Sequence, residues 1–176
     1  MKTHEFTIVA SGLDPGAKNF EDRFFDAGCG DATISFQKGA IVLDFARRAA
    51  NFANALASAI RDVERSGAKV ERIEPDSLVS LSDIAERTGL TRAAISHYSK
   101  GMRSASFPAP VARVTSESPL WDWYEVSRWM RREKRVDAEA VLRARVVKDT
   151  NLMLGQSHSG NRIANRLEKH VAKADA

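Results

Sequence analysis

The chain has one cysteine among 176 residues, so no internal disulfide forms. It has no apolar run of about 18 residues and no basic-then-apolar leader at Met1, and it reads as a soluble, cytoplasmic chain without a membrane partner. Four scattered histidines, His4, His97, His158 and His170, make no zinc or iron set with that cysteine. No Gly-x-x-x-x-Gly-Lys-Ser/Thr, Gly-x-Gly-x-x-Gly or Gly-x-Ser-x-Gly motif occurs. The expectation is therefore no metal, no cofactor, no catalytic residue and no enzyme. Cys29, between Gly28 and Gly30, is the one feature that keeps an enzymatic alternative open, since a thiol there could be exposed at a helix end.

What is present is enough apolar material for a core: 43% of residues are hydrophobic and 28% charged, a balance that excludes wholesale disorder. The net charge of +4 is unevenly spread. Residues 1–74 carry 10 Lys and Arg against 11 Asp and Glu, residues 75–136 carry 10 against 7, and residues 137–176 carry 7 against 5. The basic excess begins after Pro75, which separates a domain indifferent to polyanions from a segment suited to approach one.

The first 74 residues give a succession of periods. His4 to Leu13 alternates as a strand and ends at the turn Asp14-Pro15-Gly16; Asn19 to Ala27 places Phe20 and Phe24 on one side of a short helix. Ala32, Ile34 and Phe36, then Ile41, Leu43 and Phe45, flank Lys38-Gly39 as a hairpin. Asn51 to Ser66 is an amphipathic helix through Phe52, Leu56, Ala59, Ile60 and Val63, and Ala68 to Glu74 is a short edge strand. The order β-α-β-β-α-β predicts a ferredoxin-like α+β domain over 1–75, with two helices on one face of a four-stranded antiparallel sheet. No strand has the aromatic signature of an RNA-reading sheet. Such a domain is expected to bind a partner protein, a second copy or a small-molecule effector.

Residues 80–101 read SLSDIAERTGLTRAAISHYSKG. Ser80 is suited to cap a helix buried through Leu81, Ile84 and Ala85, Gly89 to a sharp turn, and Thr91 to cap a second helix buried through Ile95 and Tyr98. Counted from Leu81, the fourth residue is apolar (Ile84), the fifth small (Ala85), the ninth glycine (Gly89), and the tenth, fifteenth and eighteenth apolar (Leu90, Ile95, Tyr98). These positions resemble the bacterial helix-turn-helix regulators. Phe107 to Pro110 is non-helical, Val111 to Thr115 is β-prone, and Ser116-Glu117-Ser118-Pro119 turns before Leu120-Trp121, which reads as a β-ribbon; Asp122 and Glu125 then open a third helix through Trp123, Val126, Trp129 and Met130. The stretch FPAPVARVTSESPLWDWYEVSRWM resembles the end of MerR-like and AlpA-like (excisionase-type) winged helix-turn-helix domains. The resemblance covers about residues 78–132.

That resemblance implies a winged helix-turn-helix domain over 76–135 and a sequence-specific, double-stranded-DNA-binding transcriptional regulator, a repressor in the commonest form. The second helix would enter the major groove with Thr91, Arg92, Ala93, Ser96, His97 and Lys100 outward. Arg92 and Ser96 are assigned to base edges, and Thr91, His97, Lys100 and Arg103 to phosphates. Glu117 departs from the pattern by placing an acid at the wing tip, which leaves Arg113 as the wing contact. The run Arg128, Arg131, Arg132, Lys134 and Arg135 is either a backbone-contacting end or a solvated helix exit. Residues 136–176 read as a helical tail: 137–154 group Val141, Leu142, Ala144 or Arg145, Val146 and Leu152, Gly155 to Gly160 break the helix, and Ile163, Leu167 and Val171 form a stripe that needs a partner. Half-sites about 34–36 Å apart favour a homodimer, which a self-associating tail would supply most economically, with the sheet as rival surface and folding back on the same chain as the alternative. Two other classes stay open: a protein-interaction module such as an antitoxin, and an excisionase-like architectural factor that bends DNA.

Overall fold

Phe6, Ile8 and Ala10 alternate with Thr7 and Val9, and a strand turns successive side chains to opposite faces. In the computed structural model, which describes residues 1–102, 106–156 and 164–169, this alternation runs through β1 (Lys2–Ser11). Gly12 then takes φ +91°, which stops the strand short of Leu13. There follow α1 (Phe20–Asp26), β2 (Ala32–Gln37), β3 (Ala40–Ala49), α2 (Phe52–Arg65) and β4 (Lys69–Glu74). The strands form one sheet ordered β2-β3-β1-β4, and each neighbouring pair is antiparallel. Between β2 and β3, Lys38 and Gly39 both take positive φ, the two-residue turn whose twist suits a hairpin.

The chain divides into two compact units. The first is Met1–Pro75 with the described residues from Asp149 on. Its register sets Phe6 opposite Phe45, Ile8 opposite Leu43 and Ile73, and Ala10 opposite Ile41 and Val70, so one sheet face is wholly apolar at its centre. Phe52, Leu56, Ala59, Ile60 and Val63 of α2 are buried, and Asn51 caps that helix by accepting from the Asn54 N–H. Phe6 stacks on Phe45 at 5.3 Å and meets Phe52 edge-on at 5.7 Å. On the outer side of β4, the Asn151 amide bonds both backbone groups of Ile73, at 2.8 and 2.9 Å. An edge strand that exposes such groups invites pairing with another chain, and here a side chain occupies two of them.

The second unit is Asp76–Lys148. It contains β5 (Leu78–Val79), α3 (Leu81–Thr88), α4 (Arg92–Ser99), β6 (Trp121–Asp122), α5 (Trp123–Arg132) and the first part of α6 (Ala138–Gln156). Its core is Val79, Ile84, Ala85, Ile95, Tyr98, Trp121, Trp123, Val126, Trp129, Met130 and Ala144. The expected ribbon is much shorter than Val111–Thr115 against Leu120–Trp121. A single bridge, Ala112 to Leu120, stands in its place. Arg113 takes φ +52° and its carbonyl accepts from both the N–H and the Oγ of Ser116, so the chain leaves the extended path after one pair. Trp121 and Asp122 pair instead with Val79 and Leu78, two strand residues the periodicity had not marked.

The tail also differs from expectation. In α6, Leu142 and Leu152 are each 55% exposed, while Ala144, Val147 and Thr150 are buried. The packed stripe has a spacing of three and is made of small and β-branched residues, whereas the sum of large apolar side chains had pointed elsewhere. Gly155 lies inside the last turn of the helix rather than breaking it. In α7 (164–169), Ala164 and Leu167 are buried within a single chain and Glu168 pairs with Arg61 of α2. For these residues the chain itself is the partner; Ile163 and Val171 lie outside the described residues.

Candidate nucleic-acid interface

A helix start leaves N–H groups unpaired, and a Ser followed three residues later by an acid can answer two of them. Ser80 Oγ accepts from the Asp83 N–H at 3.2 Å, and the Asp83 carboxylate accepts from the Ser80 N–H at 2.7 Å. The bonds from Ser80 hold the Asp83 carboxyl below the ordinary aspartate range. At the other end of α3, Gly89 has φ +66°, Leu90 N–H donates to Ala85 at 3.0 Å and Gly89 N–H to Glu86 at 3.3 Å. This Schellman arrangement uses the left-handed residue that only glycine adopts freely. Thr91 then caps α4, its Oγ1 accepting from Ala94 N–H at 3.2 Å. The same closure recurs at Gly101, φ +70°, with Met102 N–H on His97 and Gly101 N–H on Tyr98, both 3.0 Å. Both ends of α4 are thereby defined.

The rotation of α4 follows from its inward residues. Tyr98 lies edge-on to Trp129 at 5.0 Å and parallel to Phe107 at 6.4 Å, and Phe107 meets Trp129 edge-on at 5.0 Å. The Trp129 indole donates to Ser106 Oγ at 3.2 Å and the Trp121 indole to the Pro108 carbonyl at 3.0 Å, so the buried indoles keep their polar edges satisfied. Beside this cluster, Arg87 lies over Trp123 at 5.2 Å and donates to the Asp76 carbonyl at 3.0 Å. Burial lowers its guanidinium from the ordinary value, against the pull of Asp83, Asp76 and Glu86. No sequence motif had marked Arg87; it supports the frame.

With Ile95 and Tyr98 inward, Thr91, Arg92, Ala93, His97 and Lys100 are exposed and Ser96 is half-buried. Arg92, Ser96 and Lys100 recur every fourth residue and share a stripe, with Ala93 and His97 beside it. α4 contains no acidic residue. Among the described residues, no hydrogen bond or ion pair occupies the side chains of Arg92, His97 or Lys100. Arg113 is exposed at the head of its turn, on a separate loop, and its side chain is likewise unpaired among the described residues. Arg103 lies outside the described residues.

The first unit holds its charges differently. Arg47, 8% exposed, donates to Asp31 at 2.8 Å, Asp62 at 2.6 Å, Ser58 at 3.2 Å and the Gly28 carbonyl at 2.9 Å. Its hydrogen bonds hold the Asp31 carboxyl below the ordinary range. Cys29, beside this network, is buried, and its thiol is pushed up to about 11 by burial and then by Asp62, with Arg47 opposing. At neutral pH it is a protonated thiol, a weak nucleophile.

Among the described residues no three His, Cys, Asp or Glu side chains gather to hold a metal ion, and no helix is long and apolar enough to cross a membrane. No protein-family model, curated protein or solved structure matches the chain.

Proposed function

We propose that the protein is a sequence-specific, double-stranded-DNA-binding transcriptional regulator, a repressor acting in the cytoplasm, that presents α4 to the major groove. The observation that carries this reading is α4 itself: a helix capped at both ends and rotationally fixed by Tyr98, whose outer face bears Arg92, His97 and Lys100 without a carboxylate partner among the described residues. Arg92, with Ser96 behind it on the stripe, is the base-reading pair, since a guanidinium can bond guanine O6 and N7 together, worth about 1–3 kcal/mol of discrimination. Thr91, His97 and Lys100 hold phosphates, and Arg113 is the loop contact. In this reading the second unit is a winged helix-turn-helix with a reduced wing, and the first is a ferredoxin-like domain, an assignment supported by its element order and the strand order β2-β3-β1-β4.

A regulator of this kind reads two half-sites as a homodimer. Because Ala164 and Leu167 are buried within a single chain, the dimer surface is sought away from those tail residues, and the first domain takes the partner or effector. The test is selection of bound duplexes from a random pool at fixed salt. Enrichment of a palindromic site supports the dimeric regulator; no enrichment at salt low enough for duplex binding overturns it. A second reading, a protein-interaction module, draws on Met102, Val111 and Val114, which are exposed apolar residues in the second unit. A tight protein partner without sequence preference on DNA would favour that reading.

A further inference from the structure

α5 closes with the same hydrogen-bond pattern as α3 and α4. Arg135 N–H donates to the Met130 carbonyl at 2.8 Å and Lys134 N–H to Arg131 at 3.1 Å. The residue that takes the left-handed conformation differs: Gly28, Gly89 and Gly101 end α1, α3 and α4, but at the end of α5 it is Lys134, with φ +58°. A side chain in this conformation is strained where glycine is not. Lys134 and its neighbours Arg131, Arg132 and Arg135 line a shallow cleft of about 560 Å³ with Val136 and Asp137.

All four cations are exposed, and among the described residues none has a side-chain hydrogen bond or ion pair. The nearby acids form no ion pair with them among the described residues, and four cations against Glu133 and Asp137 leave the cleft net positive. Asp137 accepts from the Ala140 N–H at 2.7 Å and starts α6, and Glu133 points from the C-cap as an exposed residue. The helix dipole accounts for Arg131 and Arg132 in the last turn of α5, but Lys134 and Arg135 stand beyond the helix. The closing hydrogen bonds occupy the Met130 and Arg131 carbonyls, which lessens the repulsion an anion would meet at this helix end.

We infer that this cleft is an anion site that seats phosphodiester groups of a duplex strand without regard to base sequence. The inference rests on the DNA-binding reading of α4 and adds a second, base-independent contact to it. Lys134 belongs to the site because it lines the same cleft as the three arginines from a left-handed backbone position where glycine would serve the fold better.

The experiment uses the full chain and a random-sequence duplex, with affinity measured by fluorescence anisotropy across a salt series. Each phosphate contact contributes about −0.9 to the slope of log K against log salt. In the triple variant Arg131→Gln, Arg132→Gln, Arg135→Gln the slope is expected to shrink by about 1 to 3, while the base preference of a selected site stays unchanged. Arg48→Gln, a change of an exposed arginine in the first unit, is the control and leaves the slope as it is. Lys134→Gly supplies the second readout: the melting temperature rises while duplex affinity falls. A slope equal to wild type in the triple variant overturns the cleft and leaves the α4 reading standing. A wild type that binds no duplex at low salt overturns both. Inorganic pyrophosphate is the last arm: if it shifts the Lys134 and Arg135 amide resonances in a protein that ignores duplex, the cleft takes free anions and the strand assignment fails.

Discussion

Most of the paired arginines lie in the first unit, whereas the second, apart from Arg87 on Trp123 and Arg128 with Glu125, leaves a set of them without carboxylate partners among the described residues. In the first, Arg47 is enclosed by Asp31 and Asp62, Arg61 pairs with Glu168, Arg65 with Asp62 and Arg72 with Glu74. In the second, Arg92, Arg113, Arg131, Arg132 and Arg135 have exposed side chains that meet no carboxylate among the described residues. The formal charges of the two regions differ by only a few units, so the contrast lies in pairing rather than in composition. A paired guanidinium is spent inside the fold, whereas an unpaired one is free to meet an external anion.

Breaking the buried pairing should give the largest effect. Arg47→Ala leaves Asp31 without its cation and Asp62 with Arg65 alone, and we expect a loss of about 3 kcal/mol, the low end for a broken buried pair because Asp31 keeps partial hydration. Urea unfolding gives this as a lower midpoint with unchanged slope. The same variant should flatten the acid side of the stability curve. Asp31 is depressed in the folded state by Arg47, so its contribution is present above the ordinary aspartate range and is lost as pH falls through the depressed value. Without Arg47 that acid-dependent loss is removed.

Burial, and then Asp62 of the same network, raises the Cys29 thiol. A thiol raised from 9.0 to about 11 carries roughly a hundredfold less thiolate at neutral pH. Alkylation by iodoacetamide at pH 7.5 should therefore be at least that much slower in the folded chain than in urea. Rapid labelling of the folded protein would reopen an enzymatic role for the first unit.

Smaller effects are expected in the second unit. At Gly89 nothing lies within 4 Å of an added Cβ, so Gly89→Ala tests backbone conformation alone. It should cost about 1–2 kcal/mol, the penalty of a left-handed non-glycine residue, read from thermal or urea unfolding. Smallest of all, Arg132→Gln should change stability by less than about 0.5 kcal/mol, as for an exposed side chain without partners. A large loss there would mean that Arg132, like Arg87, is used inside the fold.

Much of the helical frame was legible because short-range chemistry fixes it. Ser80 with Asp83, Gly89 and Thr91 mark helix ends by rules that act over three to five residues, and Ile84, Ala85, Ile95 and Tyr98 announce a buried side by spacing. The wing was overread because β-propensity in Val111–Thr115 says nothing of Arg113 turning left-handed or of Trp121 pairing with Val79. The tail misled for a related reason: Leu142 and Leu152 weigh heavily in an apolar pattern, but Ala144, Val147 and Thr150 are the residues that fit. Arg47 left a faint signal, since it continues the inward alternation Ile41, Leu43, Phe45 on β3, but its partners Asp31 and Asp62 are distant in sequence. On α4 the outward residues could be assigned from Ile95 and Tyr98, with Ser96 more enclosed than the helical wheel implies.

Groove reading by α4 is tested most directly by base discrimination at a selected duplex site, compared between wild type and Arg92→Ala at one salt concentration. The variant should lose about 1–3 kcal/mol of discrimination at one base pair in each half-site, with preference at the other positions retained. An identical base preference in the two proteins would contradict it, because α4 would then not be the element that reads the groove.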